Sequence, residues 1–129
     1  MRGRMLKKSL SPWHSICYKI CKMFGRRTLT APEALRFYAD KRTSALQRIA
    51  EQLRFARNNN GTDRVYHAKE AAKTATACLN LLNFMLAHIP ELPTDAATVA
   101  VLRQDVEKMN TAMEQSRALL LHRWGPLAQ

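Results

Sequence analysis

The sequence predicts an all-α protein: an antiparallel three-helix bundle with coiled-coil-like seams, preceded by a basic amphipathic helix. Three observations carry that expectation. Val65, Ala68, Ala72, Ala75, Leu79, Leu82, Leu86 and Ile89 recur in alternating steps of three and four, the period of a helix that lies along a partner helix. Two more stretches, Leu35 to Ala56 and Val99 to Leu120, repeat the alternation. Glycine and proline occupy only four and five of the 129 positions, and those from Pro32 to Pro126 fall at the breaks between stretches or in a first turn.

The leader spans residues 1–27. Leu6, Leu10, Trp13, Cys17, Ile20 and Phe24 recur at helical spacing, with Lys7, Lys8, Lys19 and Lys22 between them and Arg26 and Arg27 just after. Ser11-Pro12 suits an N-cap and first turn, so a short cationic helix is expected over residues 12–24. A basic, acid-free amphipathic helix has the pattern of a mitochondrial presequence. Lys19 and Lys22 break any apolar core that a secretory signal would need. Three other roles fit the same residues. The helix could rest on an anionic membrane surface, with Cys17 or Cys21 open to acylation. Lys7, Lys8, Lys19, Lys22, Arg26 and Arg27 could contact nucleic-acid phosphates. Its apolar face, with Trp13, could dock on the bundle or on a partner. Met23 is a second candidate start.

A bundle over residues 28–129 follows, with helices expected at about 31–57, 64–89 and 95–123. Thr30-Ala31-Pro32-Glu33 matches a capping box, in which hydroxyl and carboxylate each accept the other residue's amide. The first stripe runs Leu35, Ala39, Arg42, Leu46, Ile49, Leu53, Ala56. Arg42 is its one discord. Either its stem packs along the seam and its head escapes to the edge, or it pairs with a carboxylate, with Glu107 and Glu114 as candidates. Phe37, Tyr38 and Phe55 lie off the stripe; they broaden the core face or mark a partner contact, for which Trp13, Phe37 and Phe55 are the candidates. Asn58-Asn59-Asn60-Gly61 tolerates the left-handed conformation that closes a helix. Asn60-Gly61-Thr62 also matches a glycosylation acceptor and is read as a turn only.

The central helix, capped by Thr62 or Asp63, changes from alanine to leucine along its seam. Cys78, Leu81, Phe84 and Met85 widen its apolar surface nearly all round, as in a helix covered on more than one side. Pro90 and Pro93 stop it. Thr94 or Asp95 caps the last helix, whose stripe is Val99, Leu102, Val106, Met109, Met113, Ser116 and Leu120. Met109 and Met113 read as core, or as an adaptable groove for a partner helix. Trp124-Gly125-Pro126 ends it. Helices of this length joined by short turns fold most simply up-down-up.

The charge is uneven. The net +11 comes from 21 Lys or Arg against 10 Asp or Glu, and eight of the cations stand in the acid-free leader. The bundle is therefore close to balance, although Arg54, Arg57 and Arg64 gather about the Asn-rich turn and form a candidate nucleic-acid contact. No window reaches the ~18 uninterrupted apolar residues of a membrane span. Cys17, Cys21 and Cys78 suit reduced thiols better than a disulfide framework or a zinc site. None of His14, His67, His88 and His122 is followed by a His, Cys or carboxylate four residues on. No phosphate loop, nucleophile elbow or HExxH occurs, so no catalytic residue, metal or cofactor is assigned.

The expected function is non-enzymatic: a helical interaction protein, serving as accessory subunit or assembly factor of a larger complex, mitochondrial if the leader is a presequence and otherwise cytoplasmic. One alternative is a ribosome-associated, nucleic-acid-binding helical protein that uses the leader and the basic bundle end. Another is a coiled-coil protein that assembles with copies of itself through the wide face of the central helix.

Overall fold

A computed structural model describes residues 30–124. The leader, and with it Trp13 and the cations from Lys7 to Arg27, lies outside the described residues. Three helices follow one another: α1 (Ala31–Arg57), α2 (Gly61–Ala87) and α3 (Ala96–Leu121), with a 3-10 turn at Ile89–Glu91 between the last two. They form an antiparallel bundle. Both α1 and α3 pack along α2, whereas their contact with each other is slight.

Local chemistry explains most of the helix ends. The Thr30 hydroxyl accepts from the Glu33 amide at 3.3 Å, and the Glu33 carboxylate accepts from the Thr30 amide at 3.0 Å. The amide bond from Thr30 holds the Glu33 carboxyl below its usual pKa. Asp95, rather than Thr94, caps α3 by accepting from the Thr98 amide at 2.9 Å. Carboxylates at these ends also meet the positive pole of the helix dipole. At the other end of α1 the Asn59 side chain donates to the Phe55 carbonyl at 2.7 Å.

The turn between α1 and α2 differs from expectation. Asn58 closes α1 at φ −90°, outside the left-handed region. The left-handed residue is Gly61, at φ 62°, and it opens α2 three residues earlier than Asp63 would. Neither Thr62 nor Asp63 is the cap; Asn60 is, and its side chain makes no capping bond. The Gly61 amide instead donates to the Arg123 carbonyl at 2.7 Å. A methyl built on Gly61 would stand 2.8 Å from the Trp124 ring. Gly61→Ala should therefore destabilise the protein by about 1–2 kcal/mol, mostly through the left-handed backbone. A urea midpoint unchanged from wild type would show that the turn can rearrange freely.

The buried columns sit one residue away from several expected positions. On α1 they are Ala31, Ala34, Tyr38, Ala45, Ile49, Gln52, Leu53 and Ala56, while Leu35 and Leu46 are half-buried and Ala39 is exposed. On α3 they are Leu102, Asp105, Met109, Ala112, Ser116 and Leu119, with Val106, Met113 and Leu120 half-buried against them. Helix α2 buries two sides. Its α1 side carries the His67–Gln52 bond at 2.6 Å and the Glu70–Arg48 contact at 3.4 Å. Its α3 side carries the Ser116 hydroxyl donating to the Ala68 carbonyl at 2.7 Å. Leu81, Leu82 and Met85 are at most 2% exposed. These three residues of the wide apolar face of α2 are thus covered within the chain. Cys78 is buried in the core.

Candidate interaction surfaces

Two polar clamps tie α1 to α3 across the bundle. The first joins Tyr38, Arg42 and Asp105. Arg42 grips the carboxylate with two bonds, Nε to Oδ2 at 2.5 Å and Nη2 to Oδ1 at 3.0 Å, and the Tyr38 hydroxyl donates to Oδ2 at 2.5 Å. Such a two-pronged guanidinium–carboxylate contact is among the stronger charge-assisted bonds. The Asp105 side chain has no exposure, whereas that of Arg42 retains 33%. Burial pushes the Asp105 carboxyl up, but bonds from Arg42 and Tyr38 prevail, and it ends below its usual range. Tyr38 shifts upward because burial, then its bond to the carboxylate, disfavours the phenolate. Arg42 therefore does form the paired arrangement, but with Asp105; neither Glu107 nor Glu114 is its partner. Tyr38 belongs to the core.

The second clamp is Arg64. It is 1% exposed. Its Nε donates to the Ala56 carbonyl at 2.9 Å, one Nη to the Arg57 carbonyl at 3.1 Å, and the other Nη to the His122 carbonyl. One guanidinium thus satisfies carbonyls at the C-terminal ends of both α1 and α3, which helix geometry leaves without intrahelical partners. That removes Arg64 from the expected nucleic-acid contact. Its charge is buried because the fork is matched by three acceptors.

Arg54 and Arg57 remain exposed. The Arg54 guanidinium carbon lies 5.0 Å above the Phe55 ring, and Phe55 meets His67 at 5.2 Å between ring centres. Phe37 packs, half-buried, against the core near the opposite end of α1. The two phenylalanines therefore belong to different surfaces, about 27 Å apart along the helix.

Between the clamps runs a groove of about 440 Å³ whose walls are α1 and α3. Leu46, Ile49, Leu53 and Ala112 supply its apolar floor, and Ala50, Arg57, Glu107, Lys108, Thr111 and Gln115 supply its walls and rim. It exists because α1 and α3 each follow α2 more closely than they follow each other. A smaller cleft, about 410 Å³, lies at the start of α2 and is lined by Gly61, Thr62, Val65, Tyr66, Lys69, Arg123 and Trp124. Tyr66 is 54% exposed and Trp124 76%. Sequence reasoning passed over Tyr66, Lys69 and Arg123 and read Trp124 only as a helix stop. The available signal was an aromatic three residues before a lysine, on the side of the helix away from its seam.

Among the described residues no three of His, Cys, Asp or Glu converge as a metal site, and no helix is long and apolar enough to cross a membrane. Compared with protein families, with curated proteins and with solved structures, the chain matches none of them.

Proposed function

We propose that this protein is a non-enzymatic helical interaction protein, a subunit or assembly factor that takes one amphipathic helix of a protein partner between α1 and α3. The groove between the two clamps carries this reading. It runs along both helices, offers an aliphatic floor, and has a mixed-charge rim of Arg57, Glu107 and Lys108, the arrangement in which a helix lays its apolar face into a groove. A fourth helix there would complete a four-helix packing around the half-buried Leu46. The acid-free leader suits delivery of such a subunit to mitochondria.

The test uses the full, C-terminally tagged chain, purified from its native cells with and without nuclease. Ala50 and Thr111 are exposed groove positions, so Ala50→Glu with Thr111→Glu should leave thermal unfolding within about 0.5 kcal/mol of wild type. A protein partner that survives nuclease and is lost from this double variant supports the proposal. A partner retained by the variant, or loss of every protein partner with nuclease, would overturn it.

A further inference from the structure

We infer that the cleft at the start of α2 binds single-stranded nucleic acid, stacking bases on Tyr66 and Trp124 while Lys69 and Arg123 hold the adjoining phosphates. The inference is independent of the groove between α1 and α3, which shares none of these residues. Exposed rings and cations lining one channel are what single strands require, because every base has a face to stack and every link a phosphate to neutralise.

The rings are held in place by the fold. Trp124 lies over Gly61, where even a methyl would crowd it, and the Gly61–Arg123 backbone bond fixes the segment that carries it. Tyr66 meets His67 edge-on, with ring centres 5.1 Å apart and planes 75° apart. His67 in turn meets Phe55, and Arg54 lies over Phe55. His67 and Phe55 are half-buried, so Tyr66 and Trp124 are the rings that line the cleft. No carboxylate is among the residues lining the cleft, and among the described residues neither Lys69 nor Arg123 forms a salt bridge. Arg123 is oriented by its Nε, which donates to the Leu120 carbonyl at 3.2 Å.

Charge decides the occupant. Lys69 and Arg123 line the cleft with no carboxylate beside them, which favours a polyanion over ordinary protein surfaces. An anionic bilayer shares that attraction, but interfacial aromatics must project as a common plane, and these rings line a concavity. Duplex would offer its phosphates and hide its base faces. The expected ligand is therefore unpaired.

The test titrates the full chain against a labelled oligouridylate and an oligothymidylate of about 12 nucleotides, a length within known single-strand site sizes. The matching duplex and anionic phosphatidylserine vesicles serve as the other arms. Wild type should bind the single strands at least about tenfold tighter than the duplex, since phosphate contacts are open to both and stacking only to the single strand. Tyr66→Ala should weaken single-strand binding by about fivefold or more and leave its salt dependence unchanged. Lys69→Ala with Arg123→Ala should flatten the slope of log K against log salt by about 1.4. In a Trp13→Phe background the emission of Trp124 should quench in step with occupancy. The relative strengths of the two oligonucleotides tell RNA from DNA.

Several results would overturn the inference: equal binding of single strand and duplex, Tyr66→Ala binding like wild type, or binding to vesicles alone. Tyr66 is exposed, so this variant keeps the test valid even if substitutions of Trp124 disturb the fold.

Discussion

Arg42→Ala is expected to cost about 3–5 kcal/mol at neutral pH, because it strands a carboxylate that has no exposure and a buried charge without its partner is strongly penalised. What remains for Asp105 is the Tyr38 hydroxyl and a distant Lys108 Nζ at 4.0 Å. The loss should depend on pH, with a sign set by the clamp. In wild type the Asp105 carboxyl lies below its usual value. Its contribution is therefore present above the unfolded value of about 3.9 and is lost as pH falls through the lower folded value. Without Arg42 burial dominates and raises the folded pKa above the unfolded one. The variant is then penalised progressively as pH rises through about 3.9 and beyond. The gap between wild type and variant should accordingly be widest near neutrality and narrow in acid. Urea unfolding at about pH 7 and pH 3.5 measures it, and equal gaps at both would show that Asp105 is not the coupled group. Asp105→Ala should cost less than Arg42→Ala, since the third of Arg42 already exposed gives its guanidinium a route to water.

Arg64→Met should cost about 3 kcal/mol, with a fall in Tm of roughly 10–20 °C for a domain of this size. Methionine keeps much of the stem's packing but takes the guanidinium from the Arg57 and His122 carbonyls and leaves the Ala56 carbonyl only the backbone amides of the turn. The damage should be local as well as global. Amide exchange should quicken around residues 119–123, because Arg64 is what joins that end of α3 to α1. Exposed Arg54→Met and Arg57→Met are the comparison and should stay within about 0.5 kcal/mol. Equal effects at positions 54, 57 and 64 would mean that the three-carbonyl cap contributes little.

Much of this was legible from the chain in order. The Thr30–Glu33 box, the Asp95 cap and the stop at Pro90 depend on residues within a few positions of each other, so their chemistry is readable wherever the helix lies. The expected span of α1 coincides with the observed one. The buried columns were harder to place. Alternating steps of three and four fit two adjacent columns almost equally when both contain alanine, as Ala34 and Ala39 do. Packing then decides between them, and it chose Tyr38 because its hydroxyl reaches Asp105. The candidate surfaces were least legible. Arg64 looked like a surface cation because nothing local distinguishes it from Arg54 or Arg57. Its acceptors include a carbonyl 58 residues away.

By itself the sequence determined that the described residues are all-helical, the number of their long helices, their approximate ends and their up-down-up order. Those follow from short-range hydrogen bonding, backbone stereochemistry and the period of apolar residues. Only the tertiary structure decided which arginine is buried, which carboxylate receives Arg42, and where grooves remain open. These are settled by how closely α1 and α3 each follow α2, and contacts between residues some sixty positions apart leave no periodic trace in either partner's neighbourhood.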